Sequence, residues 1–153
     1  MIQLGFPTFA YKIRNGLKTE EIFDVIRRKY VTLTEEEWVR QHCIAYLINE
    51  KKCPVSLMAV EKGLSVNGLR KRTDILIFTK DGIPKLIVEC KAPSVNITNE
   101  VFDQIARYNM TLKVNYLMVT NGIQHYCCWI DHENATYQFL DEIPEYEELI
   151  NRL

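Results

Sequence analysis

The sequence predicts a mixed α/β sandwich, and three observations carry that expectation. Two consecutive strand-like segments, residues 73–80 and 84–91, hold apolar side chains on both faces, so their sheet must be covered on both sides. Helical spacings stand on either side of them: Val39, Cys43, Tyr46 and Leu47 before, and Val101, Ile105, Tyr108 and Leu112 after. The chain is 153 residues long, 47% hydrophobic and 25% charged, with no repeat, low-complexity tract or linker. That length and balance fit one soluble globular domain over residues 1–153 with a core of ordinary size.

The elements follow in order. Residues 19–29 read as a short helix, with Ile22, Phe23 and Ile26 along one apolar edge. Thr34 through Glu37 form a capping box, with Thr34 as N-cap and Glu37 three residues on, opening a helix over 35–50. Pro54 marks its exit. Strands are expected near 56–62, 73–80 and 84–91. Lys80-Asp81-Gly82-Ile83 joins the last two as a hairpin turn, because Asp-Gly tolerates positive φ. A helix over 99–113 precedes a compact strand, 116–120, stopped by Asn121-Gly122. A hairpin of 123–130 and 135–140 turns around Asp131-His132-Glu133-Asn134, and 144–152 reads as a closing helix.

Bulk chemistry narrows the function classes. No apolar run is long enough to cross a bilayer, and the N-terminus lacks the layout of a secretion signal. Five cysteines, an odd number with no CxxC pair, point to reduced thiols in a cytoplasmic setting and argue against zinc. A net charge of −1 leaves any basic footprint local, at Arg27-Arg28-Lys29 or Arg70-Lys71-Arg72. Such runs are most often solvated faces. His42, His125 and His132 have no partner at ligand spacing, so each reads as structural or exposed.

Against that background, "RTDILIFTKDGIPKLIVECKAPS", residues 72–94, is unusual. A segment built for burial carries Asp74 at its start and Glu89 and Lys91 at its end. If the turn is centred between Asp81 and Gly82, paired positions sum to 163. Thr79 then faces Pro84, Ile77 faces Leu86, and Asp74 faces Glu89. Alternation puts Lys91 on the same face. Two opposed carboxylates repel unless a cation lies between them. Lys91 is one candidate; a magnesium ion, which takes oxygen ligands and keeps open positions for water and phosphate, is the other. The second arrangement would suit metal-assisted hydrolysis of a phosphodiester. The bland alternative is a surface bridge between the acids and the lysine at the strand ends. A one-residue slip would also send the acids to different faces.

These residues resemble a known family. Asp74, fourteen intervening residues and Glu89-Cys90-Lys91 are similar to the PD-(D/E)xK nuclease signature, in the version found at the N-terminus of type I restriction enzyme R subunits. The signature proline is replaced by Thr73. Glu-Glu-Trp-Val-Arg-Gln at 36–41 resembles the family's first-helix motif, and Glu-Cys-Lys-Ala-Pro at 89–93 its central one. Gln104-Ile-Ala-Arg-Tyr108 resembles its QxxxY motif, and Thr120-Asn121-Gly122 the strand end that follows. The resemblance covers about residues 20–140 and implies a restriction-endonuclease-like fold, a mixed central sheet flanked by helices on both faces.

It also implies roles. Asp74 and Glu89 would be metal ligands, joined by the Cys90 carbonyl, with Lys91 handling the attacking water. An acid of the first helix would assist. Glu36 is preferred because it lies nearer the apolar face and Glu37 is occupied by the capping box, although a solvated helix start is the competing reading for Glu36. Gln104 and Tyr108, at i and i+4, would support Lys91 or touch DNA, and Tyr108 could equally be a core residue. Arg70, Lys71 and Arg72 would contact phosphates. The implied activity is a Mg2+-dependent DNA endonuclease, with Mn2+ as substitute. No GxxxxGK[ST] loop occurs, so an ATP site and helicase segments are not expected. DNA is the expected partner, with restriction-modification subunits or a second copy as further ones. A catalytically silent DNA-binding or assembly module of the same fold is the competing expectation.

Overall fold

In a computed structural model, which describes residues 1–152, two sheets and three helices build the molecule. A small antiparallel sheet comes first: β1 (Ile13–Asn15), β2 (Glu20–Asp24) and β3 (Lys29–Thr32). Helix α1 (Glu35–Asn49) and a 3-10 turn at Val55–Leu57 lead into the main sheet. Its strands are β4 (Met58–Val66), β5 (Leu69–Phe78), β6 (Pro84–Cys90), β7 (Tyr116–Thr120), β8 (His125–Asp131) and β9 (Thr136–Phe139), hydrogen-bonded in that order. Helix α2 (Asn99–Met110) lies between β6 and β7, and α3 (Tyr146–Asn151) closes the chain. Only β6 and β7 pair in parallel, because only there does a crossover containing a helix intervene.

The two-sided burial expected of β5 and β6 is present. On one face Ile75, Ile77, Leu86, Val88, Tyr116 and Met118 pack with Val39, Cys43 and Leu47 of α1 and Tyr146 and Leu149 of α3. On the other, Leu76, Ile87, Leu117, Val119, Cys128 and Ile130 pack with Phe102 and Ala106 of α2. Helices therefore cover both faces of a mixed sheet. The buried stripe of α2 is Phe102, Ala106 and Asn109, rotated from the expected one; Tyr108 is 44% exposed. A tyrosine satisfies an apolar spacing rule without needing burial.

Residues 19–29 are not a helix. They are β2, a turn and the start of β3, with Ile22 opposite both Ile13 and Val31. The cause is Asp24, whose Oδ1 accepts the backbone N–H groups of Ile26 and Arg27. That turn competes directly with helical hydrogen bonding, and Arg28 completes it at φ 57°.

The expected hairpin register holds from Ile75 to Ile77. Ile75 faces Val88, Leu76 faces Ile87 and Ile77 faces Leu86, so the pairs sum to 163 as expected. Nearer the turn the register slips between Ile77 and Phe78, and Phe78 rather than Thr79 faces Pro84. Thr79 instead closes the loop: its carbonyl accepts Gly82 N–H and its hydroxyl accepts Ile83 N–H. Gly82 supplies the positive φ of 81°.

Gly122, at φ 88°, ends β7 where the N-terminal segment crosses, and its carbonyl accepts Gly5 N–H at 2.7 Å. A Cβ there would lie 2.8 Å from Leu4 Cδ2 and 3.0 Å from Val39 Cγ2. Gly122→Ala is therefore expected to destabilise by about 1–3 kcal/mol, read as a melting temperature lower by several degrees. An unchanged melting curve would show that this crossing is not tightly packed.

Candidate active site

Asp74 sits where the β4–β5 ladder lapses. Val60 pairs with Ile75 and Lys62 with Thr73 in one unbroken register, but Glu61, between them at φ 53° and opposite Asp74, makes no ladder pair. The β5–β6 ladder also stops one pair short, at Ile75 and Val88, so Asp74 makes no ladder pair with Glu89. Its carboxylate reaches across the strands instead. Oδ2 accepts the Cys90 backbone N–H at 2.7 Å, and Oδ1 accepts Arg40 Nη2 at 2.9 Å.

Glu89 is 8% exposed at the end of β6 and faces Val119 of β7. It forms an ion pair with Lys71, and Lys91 Nζ lies 4.0 Å from its other oxygen. Lys91 is anchored by its own N–H, which donates to Thr120 O at 2.8 Å across the parallel pair. Glu36, on the first turn of α1, approaches the same corner, with Oε1 3.7 Å from Arg40 Nη2. Burial and the neighbouring Asp74 charge raise the Glu36 carboxyl above its ordinary value; Arg40 and Lys91 pull the other way. Glu36, Asp74, Glu89 and Lys91 thus gather at one end of β5 and β6, with Arg40 and Lys71 beside them as countercharges.

The remaining expected residues sit around this corner. The Cys90 thiol turns into the core, where its contact with Cys43 and its burial push it well up. Tyr108 lies beneath Lys71, whose ammonium is 4.7 Å from the ring centroid, so α2 is linked to Glu89 through Lys71. Gln104 is exposed on α2. Arg72 bonds to the Glu61 carbonyl at 3.1 Å and its carboxylate at 3.3 Å. Arg70 is exposed and, among the described residues, in no ion pair. The three histidines take structural bonds, to Trp38 O, Thr120 Oγ1 and Val114 O respectively.

Glu37 needs a correction. Its N–H is capped by Thr34 Oγ1, but its side chain does not turn back to the N-cap. The carboxylate is buried and accepts from Arg27 at 3.0 Å, Arg40 at 2.6 Å and Gln41 at 3.0 Å. Asp24, with no exposed surface, accepts from Arg27 Nε and from the same Gln41 Nε2 that donates to Glu37. The sequence reading missed this network. Its signal was the spacing of Glu37, Arg40 and Gln41, which puts three polar groups on one buried helical face.

The donor set bears on the implied metal. Among the described residues no three His, Cys, Asp or Glu side chains stand close enough to cage an ion. Two carboxylates with a backbone carbonyl, completed by water and phosphate, are nevertheless a usual magnesium set. Burial beside the Asp74 carboxylate disfavours the charged form of Glu36, a cost that a cation held there would relieve.

A family model described as type I restriction enzyme R protein N terminus (HSDR_N) matches residues 35–144. The chain belongs to this family. The match takes in every acid of the corner and the whole main sheet, so the HSDR_N domain here is the six-stranded sheet with its helices. A solved fragment assigned as an HsdR subunit of a type I restriction enzyme from Vibrio vulnificus YJ016 has the same fold. It is 22% identical, with a TM-score of 0.54, over 77% of this chain and 25% of that one. This HSDR_N chain thus spans about a quarter of that fragment's length. A DUF820 protein assigned as a nuclease, from Anabaena variabilis ATCC 29413, is 11% identical at a TM-score of 0.47, with 81% of each chain covered. No curated protein matches. The restriction-endonuclease-like fold expected from the sequence is the fold observed, and no helix of the described residues is long and apolar enough to cross a membrane.

Proposed function

We propose that this HSDR_N domain hydrolyses phosphodiester bonds in DNA with the aid of a magnesium ion, for which manganese can substitute. The observation that carries the reading is the convergence of Asp74, Glu89 and Lys91 at one corner, with Lys91 Nζ 4.0 Å from Glu89 and Asp74 tied to the backbone between those two residues. When bound, the ion supplies charge that stabilises the phosphate and makes a water more acidic. Asp74, Glu89 and the Cys90 carbonyl hold it. Asp74 is kept in one rotamer by the Cys90 N–H. Lys91 orients the attacking water and offsets charge that develops on the phosphate oxygens. Glu36 adds negative charge beside Asp74. Gln104 and Tyr108 face the same side of α2 and flank the path of the strand, and Arg70, Lys71 and Arg72 meet its phosphates. Restriction-modification subunits, or a second copy, are the expected protein partners, and the cytoplasm the place of action.

Supercoiled plasmid is the test. With millimolar magnesium the wild-type protein is expected to nick it, and Asp74→Asn to leave it supercoiled. Equal nicking by the two, or none by the wild type over a wide enzyme range, would defeat the reading. One observation favours a silent DNA-binding module: Lys71 and Arg40 already neutralise Glu89 and Asp74. That module would shift plasmid in a gel, in a salt-dependent manner, without cutting it.

A further inference from the structure

Arg40 is 5% exposed and stands one helical turn after Glu36. One of its amino groups, Nη1, donates to Glu37 at 2.6 Å. The other, Nη2, donates to Asp74 Oδ1 at 2.9 Å and lies 3.3 Å from Glu61 and 3.7 Å from Glu36. A guanidinium is planar and its nitrogens have fixed spacing, so fixing Nη1 fixes Nη2. Glu37 is itself held by Arg27 and Gln41, and both of these are held by the buried Asp24 of β2. A continuous line of charged hydrogen bonds therefore runs from the small sheet to Asp74.

Glu61 supplies a second, independent observation. A left-handed backbone at a non-glycine residue within a strand costs on the order of 1–3 kcal/mol and persists only where the surroundings impose it. Here it falls beside Asp74, and it brings the Glu61 carboxylate among Arg27, Arg40 and Arg72, at 3.7, 3.3 and 3.3 Å. An arginine beside a metal ligand would by itself repel a cation. Four carboxylates stand within 4 Å of this one, from Glu36, Glu37, Glu61 and Asp74, and offset its charge, while Arg27 and Arg72 share Glu37 and Glu61.

We propose that Arg40 is the positioning residue of Asp74, and that Glu37 and Glu61 lock its guanidinium so that the small sheet sets the orientation of the metal-binding carboxylate. The proposal rests on the function proposed above and extends it to residues that touch neither ion nor DNA. With one donor on each Asp74 oxygen, each oxygen keeps a second lone pair for a cation, in a direction the two donors fix. Lysine in place of Arg40 would keep the charge but could not span Glu37 and Asp74 together.

Manganese binding in the absence of DNA, followed by loss of the free-ion paramagnetic signal, tests this without turnover. Asp74→Asn is expected to abolish binding, and Arg40→Lys and Arg40→Met to weaken it by roughly tenfold to a hundredfold. Glu61→Gln, at a position about one-third exposed, is expected to stay folded by its melting curve and to weaken binding in the same direction by less. Folded Arg40 variants that bind as the wild type does would overturn the positioning role and leave the metal site standing. If the Arg40 variants do not fold, Glu61→Gln decides, and unchanged binding by it overturns the role. Wild-type protein that binds no manganese, or binds it regardless of Asp74→Asn, overturns both proposals.

Discussion

Lys91→Ala is expected to lower magnesium-supported nicking by at least about a hundredfold, the usual contribution of a positioned group that handles a proton in the transition state. The fold should be unaffected. The Lys91 side chain is about one-third exposed, and its recorded ion pair is a 4.0 Å approach to Glu89. Its backbone bond to Thr120 does not depend on the side chain. Melting curves of variant and wild type should therefore agree within about 0.5 kcal/mol, the range of ordinary surface changes. Lys91→Arg separates two roles. A guanidinium keeps the charge but is bulkier and does not give up a proton, so weak recovery speaks for contact with the water. Full recovery would reduce Lys91 to a source of field. Undiminished nicking by Lys91→Ala would remove it from the chemistry altogether.

Asp24→Ala is expected to cost about 3–5 kcal/mol, the penalty for breaking a buried charged pair from one side. Asp24 has no exposed surface, and its loss leaves Arg27 and the Gln41 amide short of acceptors. Urea midpoints at pH 7 measure it directly; a shift of less than about 1 kcal/mol would mean that water or a rearranged Glu37 replaces the carboxylate. The pH dependence carries a sign. Burial alone would raise the Asp24 carboxyl, but the Arg27 N–H, the Arg27 guanidinium and the Gln41 amide outweigh it and hold it below its ordinary value. The unfolded carboxyl titrates near 3.9, so the unfolded chain takes up the proton first as pH falls. This contribution is complete above about pH 5 and is lost as the pH drops through the lower folded value. The wild type should weaken in that acid window, and Asp24→Asn should show a flatter slope there.

The parts of this molecule that were legible in the sequence are those fixed by neighbours in the chain. The β5–β6 hairpin follows from apolar composition and Asp81-Gly82, and the slip beside Thr79 left the site unaffected because it lies on the turn side of Ile77. The start of α1 was readable because Thr34 caps within its own turn. Residues 19–29 were not, since Ile22, Phe23 and Ile26 fit either period and one side-chain bond from Asp24 decided between them. The same limit applies to the site. Strand arithmetic set Asp74 opposite Glu89, but the ladder stops one pair earlier, at Ile75 and Val88, and Asp74 reaches the Cys90 N–H instead. The attachment of Arg40 to Asp74 joins α1 to β5 through tertiary packing, and the left-handed backbone of Glu61 has no compositional marker, since that region usually selects glycine or asparagine.

The single parallel pairing, between β6 and β7, has a consequence for assembly. A hairpin closes locally and fast, so β5 and β6 can pair while most of the chain is still unstructured. The N–H that pins the lysine has no acceptor until a long excursion has returned and laid a distant strand alongside. The backbone at Lys91 is thus anchored later than the hairpin before it, and a half-melted chain that has lost β7 would keep the turn without that anchor.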